Sequence, residues 1–147
     1  MRRAPAVGVP TRRGLAGAAL AVAVAVLLAG CFDVQSPDLF LLTRTGQGPK
    51  LTLLVNDGGT IRCNGGKAKP ISNHALITAR DLSDNLATDA QNHLTIPRNP
   101  GSVYYFTIKL QQGTISFPDH AAATRNLLAQ AELFAAQAAQ QQCGLSG

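Results

Sequence analysis

Residues 50–63 read KLTLLVNDGGTIRC. Leu51, Leu53 and Val55 alternate with Thr52, Leu54 and Asn56, which places three apolar side chains on one face of an extended segment. Asn56-Asp57-Gly58-Gly59 follows, a run of residue types that tolerate the positive φ of tight hairpin turns. Thr60 to Cys63 then returns as a second strand, and Asn64-Gly65-Gly66 ends it. Two strands joined this tightly pair antiparallel, because a parallel pair needs a crossover of a dozen residues or more. The stretch therefore points away from a parallel α/β sheet.

The same reading extends in both directions. Asp38 to Thr45 forms a strand, and Gly46-Gln47-Gly48-Pro49 turns it into the hairpin. Downstream, Ser72 stands as the N-cap of a helix reaching about Ala90, with Ile71 and Leu76 at the hydrophobic-staple positions. Leu76, Ala79, Leu82, Leu86 and Ala90 share one helical face, while Arg80, Asp81, Asp84 and Thr88 point outward. Pro97 to Gly101 is a loop. Ser102 to Gln111 is the clearest strand, with Tyr104, Phe106, Ile108 and Leu110 alternating against Tyr105, Thr107 and Lys109. Gln111-Gln112-Gly113 turns it into Thr114 to Phe117. Pro118-Asp119 is read as the start of a long Ala/Gln-rich helix with Asp119 as N-cap and a stripe of Leu127, Leu128, Ala131, Phe134, Ala135 and Ala138. Leu133 lies off that stripe. The order βββ-α-ββ-α predicts an α+β domain over residues 38–147: a small antiparallel sheet of about five strands with two helices on one face.

The N-terminus is of another kind. Arg2, Arg3, Arg12 and Arg13 precede the fifteen apolar and small residues Leu15 to Ala29. This is a charged region followed by an apolar one, too short for a comfortable membrane span of about 20 residues. Leu28-Ala29-Gly30-Cys31 closes it and resembles the lipobox of bacterial lipoprotein precursors. The resemblance implies that residues 1–30 are a removable signal peptide. It further implies that Cys31 carries an acylated lipid (diacylglyceryl and palmitate-type chains), and that residues 31–37 are a short tether. The chain would then be held on the outer face of the cell membrane, since two acyl chains anchor stably where one does not. Thr11-Arg12-Arg13-Gly14-Leu15 also resembles a twin-arginine export signal, which leaves the export route open. The segment LTLLVNDGGTIRCNGG and the helix ending in Cys-Gly resemble small uncharacterised lipoproteins of actinobacteria, a likeness that implies location and no catalytic residue.

With the signal removed, 117 residues remain (147 − 30), enough for one domain. The net charge of +5 is misleading: taking four arginines from 13 basic residues leaves 9 against 8 acids. A near-neutral surface without a basic stripe, and with few aromatic residues, argues against a nucleic-acid partner. Cys63 and Cys143 are the remaining cysteines, and an exported address permits a disulfide between them. A metal site or a reactive thiol is the alternative, but no CxxC or Cys/His cluster supports zinc.

Motifs for chemistry are weak. His74, His93 and His120 lack a metal-ligand spacing, and no GxSxG elbow accompanies them. The segment Asp81 to Asn92 fails as a calcium loop, with Leu86 where glycine belongs and Asn92 where glutamate belongs. Cys63-Asn64-Gly65-Gly66-Lys67 fails as a phosphate loop because Ile61 stands where the first glycine should be. No metal and no cofactor are expected. The favoured reading is a non-enzymatic envelope protein that binds a protein, a wall component or a small ligand. Its expected surface is the open sheet face at Val103 and Tyr105, with Asp57 and Arg98 in the flanking loops. A lipid-anchored protease inhibitor using the Pro97–Gly101 loop is the alternative, and a hydrolase stands behind it.

Overall fold

The computed structural model describes Val34 and residues 36–145; Cys31, the expected signal peptide and most of the expected tether lie outside the described residues. Six strands form one sheet: β1 (Asp38–Gly46), β2 (Leu51–Asn56), β3 (Thr60–Cys63), β4 (Ala68–Pro70), β5 (Tyr104–Leu110) and β6 (Gly113–Pro118). Helix α1 (Asn73–Gln91) follows β4, and α2 (Asn126–Gln141) follows β6. The sheet order is β4-β3-β2-β1-β5-β6, and each neighbouring pair is antiparallel. The fold is thus α+β with an antiparallel sheet and two helices.

The sheet has one strand more than the sequence suggests. β4 is three residues long and exposed throughout, so it carries no apolar alternation to read. It exists because β3 offers it an edge: Thr60, Ile61 and Arg62 pair with Pro70, Lys69 and Ala68. Proline and lysine suit such an edge, where they discourage further pairing. The opposite edge is covered. Ile96 N donates to Ser116 O (2.8 Å) and Ser116 N to Leu94 O (2.9 Å), which lays the 94–96 segment along β6.

Strand alternation separates the two faces. Phe40, Leu42, Leu51, Leu53, Val55, Ile61, Phe106, Ile108, Ile115 and Phe117 are buried together with Ala79, Leu82, Leu86 and Ala90 of α1 and with Leu128, Ala131, Phe134 and Ala135 of α2. Phe40 meets Phe134 edge-on at 5.7 Å, and Phe106 stacks on Phe117 at 5.4 Å. Both helices therefore cover the same face.

α1 begins beside the β2–β3 hairpin, where Ile71 N donates to Gly59 O (3.0 Å). It ends against the β5–β6 turn, where a Cβ on Gly113 would sit 2.2 Å from Ala90 O. Both turns lie at the same strand ends, so α1 crosses the strands rather than following them. Ser72 caps it by accepting from Ala75 N (3.1 Å), as expected.

α2 departs from expectation. It starts at Asn126 and not at Asp119; a 3₁₀ turn, Asp119–Ala123, stands between it and β6. The reason is that Asp119 is used across space. Its Oδ2 accepts from Val103 N (3.0 Å) and Tyr104 N (3.2 Å), and its Oδ1 accepts from His120 N (3.0 Å). The carboxylate pins the start of β5 instead of capping the long helix. α2 then runs back across the sheet, and Cys143 just beyond it is bonded to Cys63 at the end of β3, with Cα atoms 5.6 Å apart. Lys69 Nζ donates to Gln142 O (2.5 Å) and adds a second tie there.

Candidate functional site

The face opposite the helices is built by the alternate residues of the same strands. Register pairs Thr52 with Thr43, Thr43 with Thr107 and Thr107 with Ser116, giving one hydroxyl row across four strands. The next row runs Arg62–Leu54–Leu41–Lys109–Thr114. β-branched threonines suit a pleated, half-exposed surface, and facing hydroxyls add cross-strand contacts. Leu54 and Leu41 sit directly opposite each other, so this face is not uniformly polar.

At one end of this face lies an aromatic cluster. Arg98 stacks its guanidinium 4.5 Å from the centre of the Tyr105 ring and donates from Nη2 to Thr45 Oγ1 (2.9 Å). Tyr105 donates its hydroxyl to Ile96 O (3.3 Å). Val103, 38% exposed, stands just before β5, its backbone held by Gln47 N and Asp119. Three expected surface residues, Val103, Tyr105 and Arg98, are therefore neighbours. The fourth is not. Asp57 occupies the hairpin at the far end of the strands, where its carboxylate pairs with Arg80 Nε (2.6 Å) and its backbone N donates to Pro37 O (2.8 Å). The sequence reading joined the two loops because it had no register to place them.

The Pro97–Gly101 loop is stiffened by its own polar groups. Ser102 N donates to Asn99 O (3.1 Å), Gly101 N to Asn99 Oδ1 (3.1 Å), and Asn99 N to Ser102 Oγ (3.1 Å). Arg98, the one charged residue of this loop, is folded back onto Tyr105 rather than projected. Ser102 Oγ also contacts His120 Nδ1 at 3.3 Å. This pair is exposed, and the adjacent Asp119 spends its oxygens on three backbone amides rather than on the imidazole, where a relay would place a carboxylate. Among the described residues, no group of three or more His, Cys, Asp or Glu side chains is placed to hold a metal ion, and no helix is long and apolar enough to cross a membrane.

At the opposite end of the open face is a pocket that the sequence reading missed. It has a volume of about 240 Å³ and is lined by Asp38, Leu54, Asn56, Thr60 and Arg62. Asn56 Nδ2 donates to Asp38 Oδ1 (3.0 Å), and Asn56 Oδ1 accepts from Gly58 N (2.8 Å). The signal for it was present in the alternate positions of β1, β2 and β3. The apolar alternation dominates these strands in the sequence, and only pairing brings their polar residues together.

Helix α2 carries one partly buried carboxyl. Glu132 of α2 keeps Oε1 buried without a hydrogen-bond partner. Burial, and secondarily the charge of Asp119, push its pKa up to about 7. No protein-family model matches the chain, and no curated protein or solved structure matches it either.

Proposed function

We propose that this chain is a lipid-anchored protein of the bacterial cell envelope, tethered through Cys31, whose domain works by binding a partner on the open face of its sheet rather than by turnover. The observation that carries the binding reading is the division of the sheet. Both helices pack on one face, while the other presents Leu41 and Leu54 among threonines, with Tyr105 under Arg98 at its edge. Leu41 and Leu54 pair directly across β1 and β2, which makes one contiguous apolar step in an otherwise polar face that a partner can cover. The anchor reading rests on Leu28-Ala29-Gly30-Cys31 and the basic, then apolar, segment before it.

Two measurements test this. Intact mass of the membrane-extracted protein should give a chain starting at Cys31 with added acyl mass, and the Cys31→Ala variant should lose it. An unacylated chain that retains residues 1–30 would refute the anchor. For the binding face, a photo-crosslinking residue placed at Thr43 should trap one defined envelope component, and the same residue at Asn85 on the outer side of α1 should not. Equal trapping from both positions would refute the assignment of the face.

A further inference from the structure

The pocket at the start of β1 holds two opposite charges that do not satisfy each other. Asp38 gives Oδ1 to Asn56, and its Oδ2 has no hydrogen-bond partner among the described residues. The Arg62 guanidinium, exposed on β3, makes no hydrogen bond or ion pair with the described residues, although it lines the same pocket. The two residues stand on strands separated by β2, so their backbones are about 10 Å apart across the sheet. They also differ by one row along the strands, because Asp38 pairs with Asn56 while Arg62 pairs with Leu54. On the intervening strand β2, Asn56 and Leu54 line the pocket, and Thr60 of β3 completes it. An anion acceptor and a cation acceptor thus face one small space from opposite walls, over a floor that is part apolar.

From this arrangement we propose that the pocket binds a small zwitterion: a primary ammonium hydrogen-bonded to Asp38 and an oxyanion, carboxylate or phosphate, held by Arg62. Guanidinium suits an oxyanion because its donors form a planar fork, and Asp38 is an acceptor-only group suited to an ammonium. A ligand carrying one charge would leave the other wall unpaired. The volume limits the ligand to the size of a dipeptide or a lipid headgroup, below the range of about 300–1,000 Å³ usual for drug-sized ligands. The pocket lies at the other end of the face from the Tyr105–Arg98 stack and shares Leu54 with the proposed partner surface, but the titration below reads Asp38 and Arg62, so its failure is distinguishable from that of the partner-binding proposal.

The test is an NMR titration of the full chain in a non-ionic detergent. The probes are glycylglycine and phosphoethanolamine, with N-acetyl-glycylglycine and glycylglycine amide as single-charge controls. Saturable shifts are expected at the Asn56 side-chain amide and at Thr60 for at least one zwitterion, with each control at least about fivefold weaker. Asp38→Asn should weaken the zwitterion about fivefold and leave N-acetyl-glycylglycine unchanged; Arg62→Gln should weaken the zwitterion similarly and leave the amide unchanged. Both residues line the open face, and retention of the wild-type amide spectrum elsewhere reports that each variant is folded. Saturation by phosphoethanolamine alone identifies a headgroup as the source, and saturation by the peptide identifies a free peptide terminus. Absence of saturable shifts with both zwitterions, or binding unchanged in both variants, would overturn the proposal.

Discussion

Glu132 is the residue whose environment most contradicts its chemistry. Its pKa of about 7 in the folded protein, above the ordinary 4.5 of a glutamate, means that the folded state holds this proton more tightly than the unfolded chain does. Stability is therefore undiminished below pH 4.5, falls as pH rises between 4.5 and 7, and carries the full cost above 7. Glu132→Gln keeps the shape and removes the charge. The variant should match the wild type at pH 4.5 and exceed it at pH 8 by on the order of 1 kcal/mol, a figure held down by solvent screening of a partly exposed group. Thermal melts of both proteins at the two pH values check this through the difference between them. Gly113 is the second decisive residue. Its φ is +153°, and a Cβ there would collide with Ala90 O. Gly113→Ala should cost about 1–3 kcal/mol in chemical denaturation, because the α1 terminus has to move away from the β5–β6 turn. A cost below 0.5 kcal/mol, the scale of an ordinary surface change, would show that the helix end yields freely.

Among the elements, those with a complete local signal formed where the sequence put them. Ser72 before a helical apolar stripe capped α1, and Asn56-Asp57-Gly58-Gly59 turned β2 into β3. The start of α2 was misread because the local preference of Asp119 for a cap lost to three amide donors, two of them brought by β5. β4 was missed because its pairing with β3, rather than its own composition, makes it a strand. The bridge between Cys63 and Cys143 ties β3 to the end of α2 across a separation of 80 residues. In the chain-entropy account such a loop contributes at most about 4–5 kcal/mol, with typical measured values of about 2–4 kcal/mol. Replacing both cysteines by serine should lower stability by about 2–4 kcal/mol in denaturant unfolding. A loss under 1 kcal/mol would mean that the Lys69–Gln142 contact and the core hold the helix end without the bridge.

At the scale of the whole molecule, the two-layer arrangement makes neighbouring residues unequal. Leu53 is fully buried under the helices, while Leu54 is only partly buried on the open face, where it lines the pocket. Leu53→Ala should cost about 2–5 kcal/mol by opening a cavity, and Leu54→Ala about 1 kcal/mol or less. Comparable losses at both positions, read from denaturant midpoints, would mean that the second face is covered as thoroughly as the first. The same division separates the proposed partner surface from the core, and it places the Asp38–Arg62 pocket and the Arg98–Tyr105 stack at opposite ends of one face.

The sequence by itself determined which residues are apolar at period two or near period four, where the chain must turn, and that the hairpins pair antiparallel. These properties reside in a few consecutive residues, and an α+β fold with a buried strand face and two amphipathic helices follows from them. Tertiary structure alone decided which loops meet. Asp57 and Arg98 were read as parts of one surface, yet they stand at opposite ends of the strands, because strand order and register are set by contacts between segments far apart in the chain. The pocket arose the same way, from four residues on β2 and β3 brought to Asp38 on β1. Charge and hydrogen-bonding capacity are written into each residue, but whether an Asp caps a helix, pairs with an Arg or waits in a pocket depends on which neighbour the packed core brings within reach.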